Sequence, residues 1–256
     1  MTTITEVLGK AAQGRTEPFI CRGDDGQLYY VKGRNAGFRS LCCEWVVSHL
    51  AQQAGLVVPE FTIAEVPRAL IAASDREDIR QLGEGNVFAS TQVTGAREIV
   101  WNDLAHLNAW EMAKVLFLDL WVQNEDRTLS VLGGNPNLLI THESEIRQGE
   151  ATGEMQRCLW TIDFNLAFDA LFTRRSVLEH HVFAGFLGGW PEGFREHMMP
   201  RLPVLLEAVP RLFAQLPEEW LYPDGDDSLP VHLDQNDVLK TLQLPLEEPE
   251  AFWTLP

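Results

Sequence analysis

FLDLWVQNEDRTLSVLGGNPNLLI, residues 117 to 140, and CLWTIDFN, residues 158 to 165, decide how this chain is read. Leu107, Trp110, Lys114, Phe117 and Trp121 recur at helical spacing, and Met112, Leu116 and Leu120 widen the apolar face. That spacing predicts a core helix over 105–122, ended by the polar run NEDRT. A loop carboxylate directly after a rigid helix, Asp126, suits a general base that orients a hydroxyl. Arg127 is expected to neutralise nearby charge or pair with an acidic neighbour, Asn124 to support the loop, and Glu125 to be exposed. GGNPN holds too many turn formers for helix or central strand. Asn135 and Asn137 flank Pro136, whose fixed φ aims two amides in defined directions. An amide oxygen can hold magnesium without adding negative charge beside phosphate. An Asx turn is the other use of Asn135. CLWTI predicts a strand that delivers Asp163, and a carboxylate at the end of a buried strand must be solvated, paired or metal-bound. Asp163 is therefore the best magnesium ligand in the chain, with Asn165 and Asp169 as weaker neighbours.

Toward the N-terminus, residues 19 to 22 and 27 to 32 alternate around Asp24-Asp25-Gly26, which predicts a β-hairpin. Lys32 closes the second strand on the face of Leu28 and Tyr30, where its charge can reach a phosphate. Residues 40–54 carry apolar positions 41, 45, 46, 50 and 54, an amphipathic helix capped by Gly55. Glu44, inside CCEWVV, stands on its partly buried side and wants a cation, for which Lys32 is the candidate. The QGRT turn offers backbone N–H groups at Gly14, with Arg15 and Thr16 as further donors to phosphate. GRNAGFR, residues 33 to 39, reads as a flexible basic loop that competes for that role. LVVPEFTIAEV, RALIAAS and NVFASTQV look like strands. Residues 1–95 thus form a small sheet with one helix, and 96–223 a more helical part. Residues 142–156 read as an exposed hairpin or insertion, and 175–187 and 202–216 as helices interrupted by GGWPEG, Pro203 and Pro210. From residue 224 an acidic, proline-rich tail is expected to lie extended on the body, with a short helix near 235–242.

The chain has 256 residues, 45% of them hydrophobic, enough to bury a large core. Its 20 basic and 37 acidic residues leave a formal net charge of −17. That surface repels phosphate backbones and anionic lipid, and no basic patch offsets it, so direct nucleic-acid binding is excluded. The same acidity disfavours a nuclease-type metal site built on Asp119, Asp126, Asp163 and Asp169. The four cysteines make no CxxC pair, which places the chain in a reducing compartment, the cytoplasm. No run of eighteen or more apolar residues occurs, so no membrane span is expected. The histidines show no HExxH spacing and His180-His181 reads as structural. GxSxG, GxGxxG and the P-loop motif are absent. A lysine, a glutamate, an aspartate base, an asparagine and a metal-binding aspartate, in that order, suit transfer of a phosphoryl group from ATP with magnesium.

With GRTEPFICRGDDGQLYYVKG, CCEWVVSHLAQQAGLVVPE, the DR…NPNLL run and LWTIDFNLAF on the page, the chain resembles the HipA-like kinase family. This is a divergent bacterial branch of the protein-kinase and phosphatidylinositol-kinase superfamily. The pieces span roughly residues 8 to 169. The resemblance implies an α+β, bilobed kinase-like fold, with a small β-rich N-lobe carrying one helix, a larger helical C-lobe, and ATP in the cleft. It implies that Lys32 contacts the ATP phosphates and pairs with Glu44. Asp126 matches the catalytic aspartate, Asn137 the metal-binding asparagine with Asn135 as second candidate, and Asp163 the metal-binding aspartate. Phe88, Ala89 and Ser90 fall where the hinge backbone should hold adenine. Asp126 and Asn137 are eleven positions apart, a wider gap than in ordinary protein kinases, and IDF replaces DFG. The acceptor is a protein serine or threonine, a lipid or a small molecule. A nucleotide-binding pseudokinase or interaction module is the alternative reading.

Overall fold

Asp24-Asp25-Gly26 does turn the chain. Gly26 has φ +79°, Asp25 Oδ1 accepts the Gln27 N–H at 2.9 Å, and Asp25 Oδ2 accepts the Tyr29 hydroxyl at 2.6 Å. The structure is a computed structural model describing residues 1–11, 17–147, 150–222, 231 and 233–255, with only the backbone of 143–147 and 150–156. The strands are β1 (Thr2–Lys10), β2 (Phe19–Gly23), β3 (Leu28–Lys32), β4 (Phe61–Val66), β5 (Gly85–Thr91), β6 (Arg97–Glu98), β7 (Thr128–Ser130), β8 (Gly133–Asn135), β9 (Leu138–Arg147) and β10 (Glu150–Thr161). The helices are α1 (Phe38–Gln53), α2 (Arg68–Ala72), α3 (Ile79–Leu82), α4 (Ala109–Trp121), α5 (Arg174–His180), α6 (Phe194–Met198), α7 (Leu202–Ala214), α8 (Glu218–Leu221), α9 (Gln235–Glu247) and α10 (Pro249–Trp253). The fold is thus mixed α and β.

Contacts group the chain into two units, one of 1–46, 59–93 and 212–234, the other of 47–58, 94–211 and 235–256. The breaks fall inside α1, between 58 and 59, between 93 and 94, between 211 and 212 and between 234 and 235.

In the first unit, the small sheet that was expected is a closed barrel of five strands in the order β1-β2-β3-β5-β4. Closure leaves no open sheet edge. Alternate residues point inward, so Phe19 and Cys21, Tyr29 and Val31, Ala64 and Val66, and Val87 and Ala89 fill the interior with Ile4 and Leu82. RALIAAS forms α2 instead of a strand, its first turn set by Pro67 at the N-cap. GRNAGFR is a 3-10 turn at 34–36 running into α1. Helix α1 is not one-sided: Leu41 to Glu44, Val46 to Ser48, Leu50 and Ala51 are all buried, and apolar residues around the whole circumference make a core helix. The Trp220 indole N–H donates to Asn86 O at 3.0 Å, anchoring α8 to β5.

In the second unit, β9 and β10 form the expected hairpin over 142–156 and carry β6 at the edge in the order β10-β9-β6. The predicted core helix is split into a 3-10 turn at 101–106 and α4, whose N-cap Asn108 accepts the Trp110 N–H at 2.7 Å. The predicted 175–187 helix is shorter, ending at His180, and α7 runs through Pro210. The short helix expected near 235–242 is present and longer, as α9, and α10 follows it where an extended chain was expected. Both are held by aromatic side chains: Phe117 stacks on Trp253 at 5.4 Å, and the Trp121 indole donates to Leu242 O at 2.8 Å. Among the described residues no helix is long and apolar enough to cross a membrane.

Gly33, directly after β3, has no room for a side chain, since an added Cβ would lie 2.2 Å from the Leu82 carbonyl oxygen. Gly33→Ala must push β3 and α3 apart and should cost about 1–3 kcal/mol of unfolding free energy in a denaturant titration. An unchanged midpoint would contradict that contact.

Candidate active site

A positive charge taken out of water needs a partner, and Lys32 has one. At the end of β3 and only 7% exposed, its Nζ lies 2.5 Å from Oε1 of Glu44, which is 2% exposed on α1. The pair read from the sequence is therefore formed, and it fixes the ammonium at the end of the strand.

The other polar groups gather in the second unit. Asp126 follows α4 in the NEDRT loop, where Asn135 Nδ2 and Asn137 Nδ2 both donate to its Oδ2, at 3.0 and 3.1 Å. Its Oδ1 is buried with no hydrogen-bond partner among the described residues. Burial pushes the Asp126 carboxyl above the usual carboxylate range, and the negative charge of Asp163 pushes it further. Asn137 and Asp163 both sit in left-handed backbone, at φ +48° and +60°. That conformation is reached by few residues other than glycine, asparagine and aspartate. With its amide nitrogen turned to Asp126, Asn137 keeps its amide oxygen for a cation. Asp163 follows β10, and the N–H of Ile162, the residue directly before it, donates to Asn137 O at 3.1 Å.

Arg127 and Asp119 hold this arrangement together. Both are fully buried, with Arg127 Nε 2.6 Å from Asp119 Oδ2. The Arg127 Nη1 donates to three carbonyls, Asn137 O at 2.5 Å and Pro136 O and Ile162 O at 3.2 Å each. Its guanidinium also lies 5.7 Å from the Phe164 ring centre, next to Asp163. One side chain thus positions both segments that carry the candidate metal ligands. Asp119 further accepts from Asn124 Nδ2 at 3.0 Å and from His181 Nε2 at 2.9 Å. His181 Nδ1 accepts the Phe183 N–H at 3.1 Å, so the ring is neutral with its proton on Nε2. Burial holds the His181 pKa down, in agreement. Burial pushes Asp119 up, but the Arg127 charge and the His181 bond outweigh it and the net direction is down.

Sequence reasoning placed Arg127 beside an acidic partner without identifying Asp119, and did not foresee the three carbonyls. The signal was present: an aspartate eight positions before the arginine, on the apolar face of a core helix. Glu125 is half-buried and accepts the Thr173 N–H, not simply exposed. Asp169 Oδ1 accepts the Leu171 N–H at 2.8 Å and closes a local turn. Asn165 is buried, with an amide oxygen that has no partner among the described residues. Phe88, Ala89 and Ser90 lie in mid-strand, paired with β3 on one side and β4 on the other. Their backbone groups are committed to the barrel. Gly14, Arg15 and Thr16 lie outside the described residues.

A family model described as HipA-like kinase matches residues 4–255, and the chain belongs to that family. No curated protein matches. Among solved structures, a Helicobacter pylori proinflammatory kinase, CtkA, is similar at 11% identity and a TM-score of 0.44, covering 94% of this chain and 92% of that one.

Removing one member of a buried ion pair strands the other, at a cost of about 3–5 kcal/mol. Arg127→Met should lose that much stability in chemical denaturation. Asp119 is a depressed carboxylate, so its contribution is present above the unfolded pKa and lost as pH falls through the folded one. The gap between wild type and Asp119→Asn should therefore narrow in acid. A variant as stable as wild type at pH 7 would contradict the role given to the pair.

Proposed function

We propose that this HipA-like kinase is an ATP- and magnesium-dependent phosphotransferase that moves the γ-phosphoryl group of ATP to a protein serine or threonine hydroxyl. The Asp126 carboxylate carries the reading: one oxygen is held by two amides, and the other is buried and unmatched. A hydroxyl donating to Oδ1 would supply the missing partner and be aimed for attack. As its oxygen bonds to the γ-phosphorus and the bond to the bridging oxygen breaks, the proton passes to Asp126 and ADP leaves. A raised carboxyl pKa makes a stronger proton acceptor.

Lys32, held by Glu44, would set its charge against the ATP phosphates, with Gly14, Arg15 and Thr16 as further phosphate contacts. Asn137 and Asp163 would hold magnesium, with Asn135 as the other amide. An amide and a single carboxylate, completed by water and phosphate oxygens, suit that ion. The negative charge of Asp163 felt at Asp126 is what a nearby cation would offset. When bound, magnesium neutralises charge on the transferring phosphates. Cys21, Cys42 and Cys43 are buried thiols outside any disulfide, in keeping with a reducing, cytoplasmic setting, and burial pushes their pKa up to about 12.

The test is transfer of label from γ-labelled ATP. Asp126→Asn should lower it at least ~100-fold, as loss of a general base does. Asp163→Asn should abolish its magnesium dependence. Because the Asp126 pKa is raised on folding, its ionisation costs stability as pH rises through the folded value. Asp126→Asn should therefore melt higher than wild type at pH 7, with the difference vanishing in acid. Unaltered transfer in Asp126→Asn would remove the base; absence of nucleotide binding by wild type would remove the kinase reading.

A further inference from the structure

Between Asp126 and Asn137 the chain carries a hairpin that phosphoryl transfer does not use. Strands β7 and β8 pair across a turn that holds Val131 and Leu132, 73% and 97% exposed. Gly134 makes this hairpin possible, since a Cβ there would lie 2.5 Å from the Thr128 carbonyl oxygen. Across a depression of about 500 Å³ stand Val100 and Trp101, 54% and 37% exposed. Single exposed apolar residues are ordinary; four around one depression mark an interaction surface.

The depression is continuous with the candidate site. Pro136, on its wall, sits between the two asparagines that bind Asp126. On its other wall Glu98 pairs with Leu139, and the Ile99 N–H donates to Leu138 O at 3.1 Å, one residue after Asn137. A ligand seated here touches the backbone that positions the chemistry.

Its charge selects the ligand. Glu98 lines the depression, and burial alone, with no charge or hydrogen bond from the described residues, shifts its carboxyl. The adjacent Arg97 is committed to Asp103 through two bonds of 2.7 Å. Burial raises the Glu98 pKa, as for a carboxylate short of solvent and partners. The net charge of −17 favours a basic partner over an anionic one.

Resting on the phosphotransferase reading, we propose that this depression is the docking groove of a polypeptide acceptor. It takes an apolar side chain between Trp101 and Leu132 and a neighbouring lysine or arginine at Glu98, which sets the acceptor hydroxyl beside the Asp126 loop.

The probes are fluorescein-labelled decapeptide pools of glycine, alanine and one central serine. One pool carries leucine and arginine at all pairs of nearby positions, and others lack the leucine, the arginine or both. Binding to the full chain is read by anisotropy without ATP, and transfer separately with ATP. The complete pool should bind roughly tenfold more tightly than either incomplete one, about 1.4 kcal/mol. Glu98→Gln should erase the preference for arginine and Leu132→Ser that for leucine, with melting temperature and nucleotide binding unchanged. Equal binding of all pools, or preferences that survive both substitutions, overturns the groove. A dimer in sedimentation that Leu132→Ser dissolves overturns it too, by giving the surface to a second copy. Groove-dependent binding without transfer upholds the groove and sinks the phosphotransferase reading. Transfer to serine indifferent to both substitutions does the reverse.

Discussion

The ion pair between Asp119 and Arg127 is the constraint on which the candidate site depends. It lies in an interior where neither charge reaches water, so each must be satisfied by protein. Arg127 has donors to spare after meeting Asp119, and spends them on the carbonyls of Pro136, Asn137 and Ile162. Those carbonyls belong to the two segments that carry the candidate metal ligands. A planar guanidinium with donors in a fixed fork can bind a carboxylate and several carbonyls at once, which an ammonium cannot do with the same geometry. Asn124 and His181 complete the coordination of Asp119, so the whole network is neutralised around one guanidinium.

Asp126 is treated differently, one position before that arginine. Among the described residues it has no paired cation of its own, two neutral amides on one oxygen, and no hydrogen-bond partner on the other. The two carboxylates thus have opposite electrostatic fates. Asp119 is pulled down by a buried charge and serves as a fixed anchor, whereas Asp126 is pushed up by burial and by Asp163.

The parts of this site that were readable in the sequence are those where a polar residue interrupts or ends an apolar pattern. Lys32 closing a strand, Glu44 inside CCEWVV and Asp163 after CLWTI are of that kind, and the Lys32–Glu44 contact is formed as the pattern required. The role of Arg127 was not readable, because its partners are main-chain carbonyls brought together only by tertiary structure. The same limit explains RALIAAS, an apolar run too short for periodicity to separate helix from strand, which Pro67 sends into a helix. It also explains Phe88 to Ser90. Their apolar alternation identified a strand, but only the closed barrel shows that both flanks of that strand are occupied.

The left-handed backbone at Asn137 and Asp163 also bears on how such a chain can change over generations. At those positions the main chain admits few side chains without strain, and β-branched ones least of all. Many codon changes there would damage folding before they touched chemistry. A lineage that abandoned catalysis would be steered toward glycine, or toward exchange between asparagine and aspartate. The shape of the main chain thus preserves the imprint of the site even where selection for turnover has ceased.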